Sequence, residues 1–337
     1  MSNYEFLRDK SILITGGTGS LGRQLAKILL TEANPLKVIV FSRDEWKQSE
    51  MRASEPLFNH KAMRYFLGDV RDPQRLVRAF NEVDYVIHAA ALKQVPAAEY
   101  NPTEFVRTNI DGAVNVINAA IDCRVRAVMA LSTDKAVNPV NLYGATKLCS
   151  DKLFVAGNSY VGRQMEPKLS VVRYGNVLGS RGSIIPLWQK MVADGATSLP
   201  ITDMRMTRFW ISIEQAAHFV LNCFKYLVGG EIFVPKIPSM RIVDLAQTIA
   251  PKLPHDIIGV RPGEKLHEVM ITPENAPNTL DCGDYYAILP ATRANDNEYI
   301  KRFQKGKETQ WVPEGFNYAS NTNDKWLNVE SLRKLIH

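Results

Sequence analysis

Two pairs of residues in the stretch LSTDKAVNPVNLYGATK, residues 131–147, have types and spacing that can do chemistry. Tyr143 and Lys147 stand four apart at the start of a helical pattern, so they share a helix face. Of the twelve tyrosines, only Tyr143 has a lysine at that spacing. A nearby ammonium lowers a phenol's pKa from about 10 toward working pH. The phenolate then takes the proton of a substrate hydroxyl as its hydride departs. Asp134 and Lys135 add an acid and a base beside Ser132 and Thr133. Such a pair serves a second step: a hydrogen next to a newly formed ketone is acidic, so a base removes it while an acid helps a hydroxyl leave one carbon further on. Returning the hydride closes the cycle with no net redox change. Lysine acts as a base only where burial or a nearby cation lowers its pKa. Taken alone, each pair also reads as a surface contact worth ~0–1 kcal/mol. The elements that position them must decide.

Those elements alternate along the first half of the chain. SILITG, KVIVFSR, MRYFLGDV, DYVIHAAAL, RAVMALSTD and LSVVRYGNVLG read as strands. LGRQLAKILLTEA, PQRLVRAFNEV, TEFVRTNIDGAVNVINAAIDC and YGATKLCSDKLFVAGNSYV read as helices between them. Strands apolar on both faces that alternate with helices predict a parallel sheet covered on both sides, the doubly wound α/β class. Ser132 and Thr133 close one such strand, and ligands of open α/β sheets bind at the carboxyl ends of strands. Thr133 is therefore grouped with Asp134, Lys135, Tyr143 and Lys147 as the candidate catalytic set. Beyond residue 177 Pro and Gly interrupt the pattern. Residues 1–177 are expected to form the cofactor domain, with 207–235 packing back onto it, and 178–337 mainly a smaller substrate lobe.

The loop ITGGTGSLG joins the first strand to the first helix. Gly16, Gly19 and Gly22 are spaced as a G-x-x-G-x-x-G dinucleotide fingerprint, in which the backbone and the helix N-terminus receive a pyrophosphate. Thr18, Ser20 and Leu21 belong to the same loop. This makes the doubly wound domain Rossmann-type. At the second strand's end, where NAD proteins place an acid against the ribose, stand Ser42 and Arg43, with Lys47 four residues beyond Arg43. Cations there suit a 2′-phosphate, so NADP is the expected cofactor, although Asp44 is adjacent. Asp69 is a candidate for the adenine amino group, with Val70 against the ring, and Asp72 is the better helix cap. After the fourth strand, Ala89, Ala90, Ala91 and Lys93 would let the backbone pass close to the cofactor. His88 reads as a structural histidine.

Composition narrows the partners. The net charge is +6 and the pI about 9.0, with the basic residues dispersed, which suits phosphate contacts rather than a nucleic-acid arm. Cys123, Cys149, Cys223 and Cys282 form no C-x-x-C pair, so no metal site is expected. A polar N-terminus and the lack of a long apolar run predict a soluble cytoplasmic protein with no membrane partner.

Together these motifs resemble the extended short-chain dehydrogenase/reductases that act on nucleotide sugars. TGGTGSLG, FSRDEWKQ, AALKQVPAAEYNP, LSTDKAVNPVNLYGATK and RPGEKLHE resemble UDP-N-acetylglucosamine 4,6-dehydratases, in particular the small inverting type that opens pseudaminic acid synthesis. The resemblance runs from about residue 7 to the WLNVESLRKLI segment near the C-terminus. It implies bound NADP, Tyr143 as base for C4 oxidation, Asp134 as acid for water loss from C6 and Lys135 as base at C5. It also implies a UDP-sugar site from Asn176, Arg181, Ser183 and Pro186. Lys93 and Glu264 join it, and Arg208 and Arg261 are assigned to the diphosphate. Homo-oligomers, dimeric or hexameric, are implied too, with the 103–121 helix as a plausible interface. Retaining dTDP-glucose-type dehydratases carry Asp-Glu where this chain has Asp134-Lys135. Membrane-anchored relatives tend to carry methionine at the Tyr143 position. A C5-retaining dehydratase and a nucleotide-sugar 4-epimerase are the alternative readings. A non-catalytic NADP sensor would need neither pair.

Overall fold

The structure is a computed structural model that describes residues 4–161, 166–180, 182–293, 296–306 and 308–336. Six strands, β1 (Ser11–Thr15), β2 (Lys37–Ser42), β3 (Met63–Leu67), β4 (Tyr85–His88), β5 (Ala127–Thr133) and β6 (Lys168–Tyr174), lie parallel in the order 3-2-1-4-5-6. The order reverses between β1 and β4, which opens a crevice at their carboxyl ends. Ile232–Pro235 extends the sheet parallel to β6. Tyr285–Ile288, Thr279–Asp281 and Gln310–Trp311 complete ten strands with antiparallel pairing. The expected Rossmann-type fold is thus present. The late antiparallel strands are short and gave no clear period in the sequence.

Helices cover both faces because successive strand residues point to opposite sides. They are α1 (Ser20–Ile28), α2 (Glu45–Ser54), α3 (Pro73–Phe80), α4 (Val95–Tyr100), α5 (Pro102–Phe105), α6 (Gly112–Asp122), α7 (Leu142–Gly157), α8 (Ile184–Ala193) and α9 (Ile213–Cys223). Ile12 and Ile14 of β1 pack into one core with Leu25 of α1 and Ala217, Val220 and Leu221 of α9. Leu13 faces the other core with Leu76 of α3, Val116 of α6 and Phe154 of α7. The helix expected over 103–123 is continuous but widens to π-helical turns at Val106–Asp111, from which the Asn109 amide reaches the backbone of Leu92.

Segment 207–235 divides its packing. Its helix α9, started by a Ser212–Gln215 capping box, lies on α1. Its strand Thr207–Ile211 instead joins β7 (Asn176–Val177) and Ser239–Arg241 in a small separate sheet. Phe209 and Ile211 enter the core on the α3 side, while Trp210 enters a third core with Trp188 of α8, Leu199 and Met240. One strand therefore belongs to two cores. Among the described residues, no helix is long and apolar enough to cross a membrane.

The catalytic segment hangs on a buried ion pair. Asp151, on α7 four residues beyond Lys147, accepts from Ser132 Oγ at the end of β5 at 2.8 Å and from Arg173 of β6 at 3.2 Å. Arg173 also donates to the Met270 carbonyl at 2.9 Å, reaching the segment before Ile271. Both charged side chains are at least 95% buried, with 5% and 2% exposure. Asp151→Ala would strand the guanidinium away from water. It should lower unfolding free energy in urea by about 3–5 kcal/mol, and a loss below about 1 kcal/mol would contradict this account.

Candidate active site

The phosphate loop has the geometry of an anion cradle. Gly16 has φ +66°, and a Cβ there would meet the Ala90 backbone at 2.9 Å. Glycine is therefore needed both for the turn and for the approach of the loop after β4. Gly19 is the N-cap of α1 without any side-chain cap, so the helix N-terminus faces the loop as an anion site would require. Thr18 and Gly22 are buried beneath this loop. Ala89 and Ala90 bond back to Thr15, and Ala91 and Lys93 are exposed at the crevice-side turn. These residues fit a dinucleotide.

Further along the crevice, Ser42 is buried at the end of β2, where its hydroxyl accepts from Gln48. Arg43 is 55% exposed and lies 3.9 Å from Asp69, while Lys47 pairs with Asp44 at 3.0 Å. Asp44 also caps α2, and Asp72 caps α3 as expected. The two adenine candidates have partners within the chain. Asp69 spends both carboxylate oxygens on Arg71, and despite partial burial these bonds hold it below its usual range. Val70 is 4% exposed and packs against Gly112, because only a glycine on the adjacent helix leaves room for it. It is a core residue rather than a ring platform. His88 is buried on Thr15 Oγ1 at 2.8 Å and pushed down to about 3 by burial and by Lys147, so it stays neutral.

The two chemical pairs meet in one cluster. Asn141 caps α7 through Gly144 N, and its amide donates to Gly263 O at 2.7 Å. A Cβ on Gly144 would sit 2.2 Å from the Lys135 carbonyl, so the glycine beside Tyr143 lets the two segments touch. Thr133 Oγ1 donates to Asp134 Oδ1 at 2.9 Å and accepts from Lys135 N. Lys135 Nζ donates to Asp134 Oδ1 at 3.0 Å and Asn176 Oδ1 at 3.4 Å, and pairs with Glu268 Oε1 at 3.4 Å. Asp134 is fully buried, and its Oδ2 has no hydrogen-bond partner. Burial, aided by Glu268, pushes Asp134 upward against the pull of Lys135. This suits an acid.

The charges also revise the sequence argument. Burial raises Tyr143 to about 12; Lys135 pulls it down and Asp134 pushes it up. Lys135 is thus a cation that acts on the phenol from outside its own helix. Lys147 is 4% exposed and held below its usual value by burial, with Asp151 opposing. Lys135 itself is held above the ordinary lysine value, because Asp134 and Glu268 together outweigh its burial. A proton must leave it before it can act as a base.

The second-lobe candidates part company. Asn176 faces Lys135, and Ser183, at the N-cap of α8, has a buried hydroxyl with no partner. Pro186 and Arg261 are exposed, and Arg181 lies outside the described residues. Arg208 is 5% exposed and commits its N–H groups to the carbonyls of Thr207, Leu266 and Lys265 and to Glu264. It clamps the 264–268 segment, which corrects its assignment to the diphosphate: burial leaves no fork to offer. Two residues escaped the sequence reading. Asn109 ties the Leu92 backbone to Thr146 of α7. Glu268 completes the charge cluster, and its signal was a carboxylate inside the apolar run LHEVMI, where burial demands a partner.

The polysaccharide biosynthesis protein family matches residues 12–290. The chain belongs to that family. This family member is 54% identical over 329 residues to a Campylobacter jejuni protein named UDP-N-acetylglucosamine 4,6-dehydratase (inverting), covering 97% of each chain. That name is the one the sequence motifs resembled. It is also 41% identical to a Rickettsia felis UDP-glucose 4-epimerase, over 97% of this chain and 95% of that one. Among solved structures, Pen from Bacillus thuringiensis aligns with TM-score 0.86 at 34% identity over 98% of each chain. The dTDP-glucose 4,6-dehydratase DesIV from Streptomyces venezuelae aligns with TM-score 0.67 at 23% identity, over 76% of this chain and 86% of that one, and shares the fold.

Proposed function

We propose that the chain is an NADP-dependent UDP-N-acetylglucosamine 4,6-dehydratase that inverts C5. The reading rests on one observation above all: Lys135 Nζ meets buried Asp134 at 3.0 Å, and the close approach at Gly144 brings the helix start that carries Tyr143 against the same turn. The 54% identity to a protein of that name supports it. So does the 55% exposed Arg43 at the end of β2, which suits a 2′-phosphate.

A nicotinamide cofactor held at the glycine loop would supply the acceptor for the C4 hydride and the donor for its return to C6. Tyr143, whose phenol must first lose its own proton, would take the proton of the C4 hydroxyl, and Lys147 would hold the nearby ribose. The C5 hydrogen, now next to a ketone, passes as a proton to Lys135; when hydride is returned to C6, C5 takes a proton from the opposite face, which inverts it. Asp134 gives its proton to the C6 hydroxyl, which leaves as water. The 3.0 Å contact between Lys135 and Asp134 supplies both groups, since one proton moving across it yields an amine and a carboxylic acid. Burial favours that neutral pair over two charges. Asn176 steadies the Lys135 head, while Ser183, Arg261 and Glu264 are left for the UDP moiety. A second copy of the chain is a further proposed partner.

The epimerase reading draws on the Rickettsia relatives and needs only Tyr143 and Lys147. Mass spectrometry after incubation with UDP-N-acetylglucosamine separates the two: loss of one water is expected, whereas an unchanged mass with a new C4 epimer would sink the proposal. Lys135→Ala should bind cofactor normally but lose C5 exchange with heavy water by NMR; exchange at the wild-type rate would remove Lys135 as the base. Arg43→Ala should weaken NADP binding by about tenfold or more while leaving NAD binding unchanged in a fluorescence titration. Equal loss for both cofactors would contradict the 2′-phosphate assignment.

A further inference from the structure

Glu268 has no role in the scheme above, yet it is 2% exposed and touches the residue on which that scheme turns. Its Oε1 lies 3.4 Å from Lys135 Nζ and 3.8 Å from Arg208 Nε, and its Oε2 lies 3.7 Å from Lys265 Nζ. Its backbone N–H is held by Ser320 Oγ at 2.9 Å. Arg208 is pinned by three carbonyls and Lys265 by the Val137 carbonyl, so neither cation is free to swing away. A carboxylate among three cations stays ionised. Asp134, with one ammonium neighbour and an unpartnered oxygen in full burial, is the carboxylate that carries a proton.

We propose that Glu268 is a positioning residue for the elimination: its fixed negative charge retains the one proton that Asp134 and Lys135 share. That inference rests on the dehydratase reading. The pair needs its shared proton in either arrangement, on the ammonium at rest or on the carboxyl when Lys135 is the amine. If the pair loses it, no acid remains for the C6 hydroxyl. The charge of Glu268 raises the affinity of both partners for it, as the upward shifts of Asp134 and Lys135 reflect. Once Lys135 is neutral, Arg208 and Lys265 still balance Glu268. The other charged and titratable groups facing the pair are Tyr143, Arg208 and Lys265. Glu264 and His267 act one contact away, through Arg208 and Thr207.

The sign follows directly. Removing the charge in Glu268→Gln lets the pair lose its proton at lower pH, so the alkaline limb of dehydration moves down. The test compares pH profiles of two half-reactions in single turnover with NADP-loaded protein. C4 oxidation is read as transient reduced-nicotinamide absorbance, and elimination as dehydrated product. In Glu268→Gln the alkaline limb of elimination should fall by about one pH unit or more, a tenfold change in proton affinity, while that of C4 oxidation shifts less. Glu268→Asp, which keeps the charge but draws it back, should fall in between, and it decides the matter should the glutamine variant not fold. Elimination limbs coinciding with wild type, or both half-reactions slowed equally at every pH, would overturn the assignment. Wild type that binds NADP but yields no dehydrated product would instead overturn the dehydratase reading itself.

Discussion

The site depends on one buried carboxylate. Asp151 holds the end of β5 through Ser132, the end of β6 through Arg173, and α7 through its own backbone. Arg173 carries the connection to Met270, next to the segment that presents Glu268. Three parts of the chain far apart in sequence are thus fixed to one point. Removing charges from water is costly, and this pair offsets part of the cost through the Ser132, Arg173 and Met270 hydrogen bonds, although Arg173 Nε has no partner. Lys147, on the same helix face as Asp151, is kept within reach of that charge.

A second constraint sets the spacing of the chemistry. The Lys135 carbonyl lies where a side chain on Gly144 would have to be. Any larger residue at 144 would push α7, and Tyr143 with it, away from the Asp134–Lys135 turn. The close approach places a phenol, an amine and a carboxyl in one field. Their proton affinities are then set jointly rather than residue by residue. Arg208 shows the same economy of position: buried under the 264–268 segment, it acts as a clamp, and its charge reaches Lys135 through Glu268.

The crevice at the switch between β1 and β4 gathers the cofactor loop and the catalytic turn on one edge of the sheet. Strand Thr207–Ile211 places alternate side chains in two cores, so the smaller sheet shares its packing with the large one. The lobe that carries Ser183 and Arg261 is therefore tied to the catalytic loop by apolar contact as well as by the Asn141–Gly263 hydrogen bond.

Much of this was legible along the chain. Alternating strands and helices, the glycine loop and the Tyr143–Lys147 spacing are local signals, since each depends on neighbours within one or two turns. The sequence by itself therefore determined the Rossmann-type architecture, the candidate catalytic residues and the cap at Asp72. It could not weigh charges that meet only after folding. Tertiary structure decided that Lys135 also acts on Tyr143, from the turn that Gly144 lets approach. It decided that Val70 is core and Arg208 a clamp. It also recruited Glu268, 133 residues beyond Lys135 in the chain, as that lysine's partner. The physical reason is common to all of these: burial and Coulomb interaction depend on distance in space, and residue type and spacing report distance only along the chain.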